Sequence, residues 1–289
     1  MNELARSHEN SVSVIIPAYN RLHTLKTAVS SVLQQTHPAM EIIVVDDGSS
    51  DDTARWLKQQ THPVRSISQE NHGVSHARNR GIEAAKGTWI ALLDSDDHWH
   101  RDKLFKQIQL LNCTADARFC HCNELWFRNG KRINQKLKHR KRGGYIFEHC
   151  LPLCVISPSA SVIHKDVFST HGVFDESLPA CEDYDLWLRI TSKENVAFID
   201  EPLLIKTGGH ADQLSQKYPI MDMFRLQSLN KLLHSRSLNS LQYSQTRQMF
   251  MKKLKIVHKG AIKHRNSAVL DELAERYMDA ESMHVLSSD

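Results

Sequence analysis

Trp89-Ile90-Ala91-Leu92-Leu93-Asp94-Ser95-Asp96-Asp97 is the stretch on which the fold turns: an apolar run with the length of a buried strand ends in three carboxylates within four residues. Carboxylates are costly to bury, and like charges at this spacing repel one another. A strand that delivers them to the carboxyl edge of a sheet is most simply explained by a divalent cation at that edge. Oxygen ligands at such density suit magnesium or manganese, which share their remaining positions with substrate phosphates. The competing reading is an acidic turn that caps the next helix, since Asp favours turns and first helical turns.

The residues before this stretch alternate strand and helix. Val12-Ser13-Val14-Ile15-Ile16 reads as a strand stopped by Pro17, and Leu22, Leu25, Val29, Val32 and Leu33 then fall on one helical face. Glu41-Ile42-Ile43-Val44-Val45 is apolar without alternation, as parallel strands buried on both faces are. It ends in Asp46-Asp47-Gly48-Ser49-Ser50, and a helix follows from Asp52 to Gln60. Val64 to Ser68 reads as a strand, Val74 to Ala85 as a helix and Thr88 to Leu93 as a strand. This βαβαβαβ series predicts a mostly parallel sheet covered by helices on both faces, an α/β fold. Ligands of such sheets bind outside the carboxyl ends of the strands. Here those ends are Pro17-Ala18-Tyr19-Asn20-Arg21, Asp46-Asp47-Gly48 and Asp94-Ser95-Asp96-Asp97.

After Arg101 the pattern changes. Lys103 to Leu111 reads as a helix, Ala117 to Phe127 as a strand and Asn129-Gly130 as a turn. Lys131 to Arg142 is strongly basic and reads as an exposed loop. Ser159 to His164 and Val196 to Ile199 read as short strands. Glu182 to Lys193 reads as a helix with Tyr184, Trp187, Leu188 and Thr191 inward and an Asp185–Arg189 pair one turn apart. From Tyr218 onward the chain is helical in period and polar in composition.

Composition narrows the function classes. At 289 residues the chain has ample length for a core, and no apolar run approaches the ~18 residues that span a bilayer. Met1 to Asn10 are polar and carry no signal-peptide core, so a cytoplasmic protein is expected. Among six cysteines, Cys120-His121-Cys122 lacks the spacing of a zinc finger or ribbon, and buried thiols on strands are the expectation. The basic segments Lys131–Arg142 and Lys252-Lys253-Leu254-Lys255 hold no nucleic-acid motif and no interleaved aromatics, so a nucleic-acid partner is not expected. They invite instead attraction of a diphosphate-linked lipid acceptor, with peripheral contact at the inner, anionic face of a membrane.

Motifs in register along the chain carry a resemblance. Ser13-Val14-Ile15-Ile16-Pro17-Ala18-Tyr19-Asn20, Val45-Asp46-Asp47-Gly48-Ser49-Ser50-Asp51-Asp52-Thr53, Ala77-Arg78-Asn79-Arg80-Gly81 and Leu93-Asp94-Ser95-Asp96-Asp97 are followed by Gly172-Val173-Phe174-Asp175-Glu176 and Glu182-Asp183-Tyr184-Asp185-Leu186-Trp187. Together they resemble a family 2 glycosyltransferase with the GT-A nucleotide-diphospho-sugar transferase fold, over roughly residues 11 to 215. The resemblance implies residues 1–100 as the nucleotide-sugar-binding half, 101–215 as the acceptor-binding half and 216–289 as a helical C-terminal extension. It implies that Pro17, Ala18, Tyr19 and Asn20 pack around the base and ribose of the donor, and that Asp47 accepts from the uracil imide of a UDP-sugar. Asp46 and Asp47 also suit a turn and helix cap. Arg78 and Asn79 suit structural bonds to neighbouring loops, beside a role at the donor phosphates.

The same resemblance implies that Asp94, with Ser95 between it and Asp96, contacts the ribose. Asp96 then binds Mn2+ or Mg2+ on the diphosphate, offsetting the charge that builds on the leaving group. Asp183 matches the general base that takes the proton of an acceptor hydroxyl, its alternative role being a helix cap. His210, after Lys206-Thr207-Gly208-Gly209, matches a loop histidine at the metal or diphosphate. The implied reaction is inverting transfer of a hexosyl or hexosaminyl group to a glycan or lipid-linked acceptor in envelope polysaccharide synthesis. A sugar-1-phosphate nucleotidyltransferase or a dinucleotide-dependent dehydrogenase should carry a glycine-rich loop where Pro17-Ala18-Tyr19-Asn20 stands. A catalytically degenerate, sugar-nucleotide-binding relative is the non-enzymatic alternative.

Overall fold

A computed structural model describes residues 9–209 and 217–277, and the chain divides into two compact units, Met1–Gln213 and Leu214–Asp289. The first unit is built on a nine-stranded sheet. Its strands are β1 (Val12–Ala18), β2 (Glu41–Asp47), β3 (Val64–Gln69), β4 (Trp89–Leu92), β5 (His98–Trp99), β6 (Phe119–Arg128), β7 (Lys131–Ile133), β8 (Val162–His164) and β9 (Val196–Gly208). They lie in the order β3-β2-β1-β4-β8-β6-β9-β5, with β7 hung on β6. β3, β2, β1 and β4 are parallel; β8 runs antiparallel to β4 and β6, and β9 returns parallel to β6. Helices α1 (Leu22–Leu33), α2 (Thr53–Leu57) and α3 (Val74–Ala84) connect the parallel strands. The second half of this unit adds α4 (Lys103–Cys113), α5 (Phe147–Cys150), α6 (Lys165–His171) and α7 (Glu182–Thr191).

The core follows from period two. Val12, Val14, Ile16 and Ala18 of β1 join a buried cluster with Leu25, Ala28, Val29 and Val32 of α1 and Leu104, Ile108 and Leu111 of α4. Ile15, on the other face, meets α3, where Gly81 lies so close that any Cβ there would press into the Ile15 side chain. Burial of each such aliphatic side chain is worth about 1.5–3 kcal/mol, which is why both faces of this sheet are covered. Leu33 departs from the predicted stripe: it is 52% exposed, one step of 100° beyond Val32, and Ala28 takes its place in the buried face.

Three elements differ from the sequence reading in an instructive way. β1 runs through Pro17, which pairs with Val45 of β2. Ile15 O accepts from Leu93 N, so by alternation Pro17 faces the β4 side, where β4 has already ended; the missing N–H breaks no ladder. β9 extends from Val196 to Gly208, three times the predicted length, because Asp200-Glu201-Pro202 does not end the strand but sits where its register with β6 shifts at Asn123. The basic segment is no plain loop: Lys131–Ile133 closes a hairpin with Trp126–Arg128 across Asn129-Gly130, both at positive φ, and Leu137–His139 forms a 3-10 turn.

The second unit holds α8 (Met221–His234), α9 (Ser240–Lys263) and α10 (Ser267–Tyr277), with α9 packed on both others. Asn239 and Gln242 form a reciprocal capping box that starts α9. Lys253 donates from α9 to Asp222 of α8 at 2.8 Å, and the Phe250 and Tyr277 rings meet edge to face at 5.7 Å. Among the described residues no helix is long and apolar enough to cross a membrane.

Candidate active site

The rim formed by the carboxyl ends of β1 and β2 is tied together by short polar residues. Asn20, at φ +50°, places its Oδ1 to accept from Ser50 N (2.7 Å) and Asp51 N (3.3 Å), while its own N–H donates to Ser49 Oγ (2.9 Å). A left-handed backbone is tolerated by Asn better than by most residues, which explains its place here. Asp46 accepts from Ser49 N at 3.1 Å and closes the turn. Asp51 accepts from Thr53 N (2.9 Å) and Leu22 N (3.2 Å), which joins the starts of α1 and α2. Asp47 is spent on the loop after β3: Oδ1 accepts from Gln69 Nε2 (2.7 Å) and His72 N (2.9 Å), and Oδ2 from Gly73 N (2.9 Å). The turn role considered for this acidic pair falls to Asp46, and Asp47 keeps one lone pair of Oδ2 uncommitted. Pro17 and Ala18 are buried in β1, and Tyr19 is 48% exposed above them.

Asp94, the first of the acids that end β4, is held by a buried arginine. Arg78, 4% exposed on α3, donates Nη2 to Asp94 Oδ1 and Nη1 to Glu182 Oε1, both at 2.7 Å. Its guanidinium also lies 5.0 Å from the centre of the Phe174 ring. One side chain therefore fixes the end of β4 against the first turn of α7, which begins at Cys181 in the left-handed conformation. Asn79, next in sequence, accepts from Phe174 N (3.0 Å) and donates to Phe174 O (2.9 Å) and Glu176 Oε1 (2.7 Å). The two residues given structural or phosphate roles by their sequence thus make structural bonds.

Burial works against ionisation at all three β4 acids, and their neighbours decide the outcome. At Asp94 the charge and hydrogen bond of Arg78 outweigh burial and hold the carboxyl below its ordinary value. At Asp96 burial and the charge of Asp94 prevail over Arg21, 3.4 Å away, and push the carboxyl up. Asp97, 2% exposed, is pushed well above the carboxylate range by burial and by Asp96. Asp97 nevertheless has full hydrogen bonding, from Ser159 Oγ (2.6 Å) and Thr207 N (2.9 Å). The same Ser159 Oγ accepts from Asp94 N at 3.0 Å. Ser95, between the outer acids, is buried.

Lys206 of β9 is the cation that the sequence reading missed. Burial would discharge it, but Glu124, Asp97, Asp94 and Asp183 together hold it protonated. Its Nζ donates to Ser157 Oγ at 3.1 Å. No local pattern could have found it, because its partners come from β4, β6 and α7. Asp183 is half-buried in the first turn of α7, with Oδ1 accepting from Tyr184 N at 2.7 Å. The Cys154 thiol sits against it, and burial together with the Asp183 charge pushes that thiol well above its usual value. Glu182 is raised by burial and by Asp183, against the pull of Arg78. The structure brings Asp94, Asp97 and Asp183 around Lys206, with Asp96 beside them and Asn20 and Asp47 on the neighbouring strand ends. His210 lies outside the described residues.

A chain that gathers acids at the carboxyl ends of parallel strands, and continues the sheet into an antiparallel half, has the GT-A type of fold. S. aureus TarS 1–349, solved in complex with UDP-GlcNAc, superposes with a TM-score of 0.69 at 17% identity, covering 96% of this chain and 78% of that one. The chain belongs to glycosyl transferase family 2, whose model matches residues 13–172. It is 34% identical over 204 residues to an uncharacterized glycosyltransferase of Rickettsia felis, covering 68% of this chain and 33% of that protein. It is 31% identical over 191 residues to the Escherichia coli UDP-Glc:alpha-D-GlcNAc-diphosphoundecaprenol beta-1,3-glucosyltransferase WfgD, covering 65% and 73%. The chain spans about a third of the length of the Rickettsia felis, conorii and bellii relatives it matches.

Proposed function

We propose that this protein is an inverting glycosyltransferase that moves a hexosyl or hexosaminyl group from a UDP-sugar to a glycan or lipid-linked acceptor in envelope polysaccharide synthesis. The observation that carries this reading is the Arg78 bridge, which ties Asp94 at the end of β4 to Glu182, the neighbour of Asp183, in the first turn of α7. Tyr19, with Pro17 and Ala18 beneath it, offers an exposed ring for the uracil, and the free lone pair of Asp47 suits its imide. Asn20 orders the loop under them, its side-chain carbonyl accepting from Ser50 N and Asp51 N.

Asp183 is assigned the general base. It stands in the first turn of α7, half-buried with Oδ1 accepting from Tyr184 N, a carboxylate placed to take the proton of a sugar hydroxyl. Attack on the face opposite the departing UDP inverts the anomeric centre. Asp94 is assigned to the ribose through its second oxygen, Arg78 occupying the first.

The residues at the rim fit a divalent cation. Asp96 is a hard oxygen donor that reaches the rim, its side chain 20% exposed beside the charge of Asp94. Among the described residues no set of three His, Cys, Asp or Glu is arranged to hold an ion, so Asp96 would share Mn2+ or Mg2+ with the donor diphosphate. Such an ion, when bound, neutralises charge on the leaving group. His210 is the proposed further ligand. The test is thermal stability with UDP-, GDP-, dTDP- and CMP-sugars, each with manganese and with EDTA. UDP-sugars should raise the melting temperature only with the metal, by about the 2.7 kcal/mol that 100-fold saturation provides. No shift with any of them sinks the proposal and favours a degenerate relative.

A further inference from the structure

A cavity lies beside the β6–β7 hairpin, and its wall residue Glu124 is joined to Lys206 through Ser157. Its volume is about 750 Å³, and Trp126, Arg132, Lys136, Arg140, Arg142 and Phe198 are among its walls. The hairpin of β6 and β7 forms one side and the 3-10 turn at Leu137–His139 another. Of its acids, Glu124 accepts from Trp126 Nε1 (2.6 Å) and Ser157 Oγ (3.1 Å) and pairs with buried Lys141 at 3.3 Å, while exposed Asp200 accepts from the neutral amide of Asn123 at 2.9 Å. Its cations Arg132, Lys136, Arg140 and Arg142 are exposed, and among the described residues none forms an ion pair. Four cations without an ion pair share this cavity with one exposed carboxylate, Asp200, which leaves its walls with an excess of positive charge.

Guanidinium groups match phosphate oxygens two at a time, and three of the four cations are arginines. An indole wall suits the face of a sugar next to such a group. Placement adds the third element. Glu124 lines this cavity, and Ser157 joins it to Lys206, whose charge is shared with Asp94, Asp97 and Asp183. The cavity wall is therefore linked to the rim acids through Glu124, Ser157 and Lys206.

We propose that this cavity binds the phosphate or diphosphate group of a phosphorylated glycan acceptor and so presents the acceptor's sugar to Asp183. This rests on the glycosyltransferase reading above. Two sources share that chemistry, a lipid-linked diphosphate and a phosphate carried by the glycan itself.

The test is calorimetric titration of the full chain, in EDTA, with inorganic pyrophosphate and with farnesyl diphosphate, beside the variant R132A/R140A/R142A. The three arginines are exposed, so the variant should keep its melting temperature; should it not, R140A alone reads the same contrast. Wild type should bind pyrophosphate, and the variant about tenfold more weakly or worse. Tighter binding of farnesyl diphosphate would identify a lipid-linked acceptor, and equal binding a glycan phosphate; both support the cavity. Equal affinity of variant and wild type, or no binding by wild type, overturns it. Sedimentation with phosphatidylglycerol vesicles without pyrophosphate binding also overturns it, marking a membrane-facing patch instead. The donor screen uses another ligand at another rim, so either proposal can fail while the other stands.

Discussion

Arg78 illustrates how one side chain can set the geometry of a site it does not enter. It makes two charge-assisted bonds inside the protein, each worth about 1.5–3 kcal/mol, and its removal would leave buried Glu182 and part-buried Asp94 without their shared cation. Arg78→Met should therefore cost about 3–5 kcal/mol in urea unfolding. Arg78→Lys should not restore it, since an ammonium cannot span both carboxyls with one planar fork. The pH dependence follows from Asp94, whose folded value lies below its unfolded one. Its contribution is present above the unfolded carboxyl range, about 3.9, and is lost as pH falls through the lower folded value. Wild type should lose this increment below about pH 4, and Arg78→Met should lack it. Lys103 carries the opposite lesson. It is fully buried 4.0 Å over Trp99, its Nζ has no hydrogen-bond partner, and burial lowers it to about 8. Between about 8 and the unfolded 10.5 the unfolded chain holds the extra proton, so stability should rise with pH across that window. Lys103→Met should stabilise by about 1–3 kcal/mol at neutral pH and flatten that rise in pH-resolved denaturation.

At the scale of elements, packing overrides local preference. Alanine is favoured over glycine inside a helix by about 1 kcal/mol, yet Gly81 of α3 leaves no room for a Cβ against Ile15. Overpacking costs about 1–3 kcal/mol, so Gly81→Ala should lower stability in thermal melting despite its better propensity. The parallel strands and their helices were legible because apolar runs without alternation, separated by helical stripes, have few other solutions. The acids of the rim were legible for the same reason, as polar punctuation at predicted strand ends. β9 was not, because Asp200-Glu201-Pro202 reads as a stop and only the shifted register with β6 shows that the strand continues. Lys206, Ser159 and Glu124 escaped likewise: each is an ordinary strand or turn residue until the sheet order places it beside acids distant in sequence.

For the whole molecule, the sheet divides its labour by direction. Its parallel half ends in the polar loops assigned to the nucleotide, and its mixed half supplies α7, Lys206 and the basic cavity assigned to the acceptor. The two halves meet at the Arg78 bridge, and the proposed reaction needs both. The central claim is that Asp183 is the base at that meeting point, and the most direct test is Asp183→Asn assayed for sugar transfer and for UDP binding in the same preparation. Asn keeps the shape and the position at the start of α7 but cannot take a proton. The account predicts transfer reduced by about 10²–10⁴-fold with UDP affinity retained. Transfer at the wild-type rate would contradict it, and with it the assignment of the α7 acids to the chemistry.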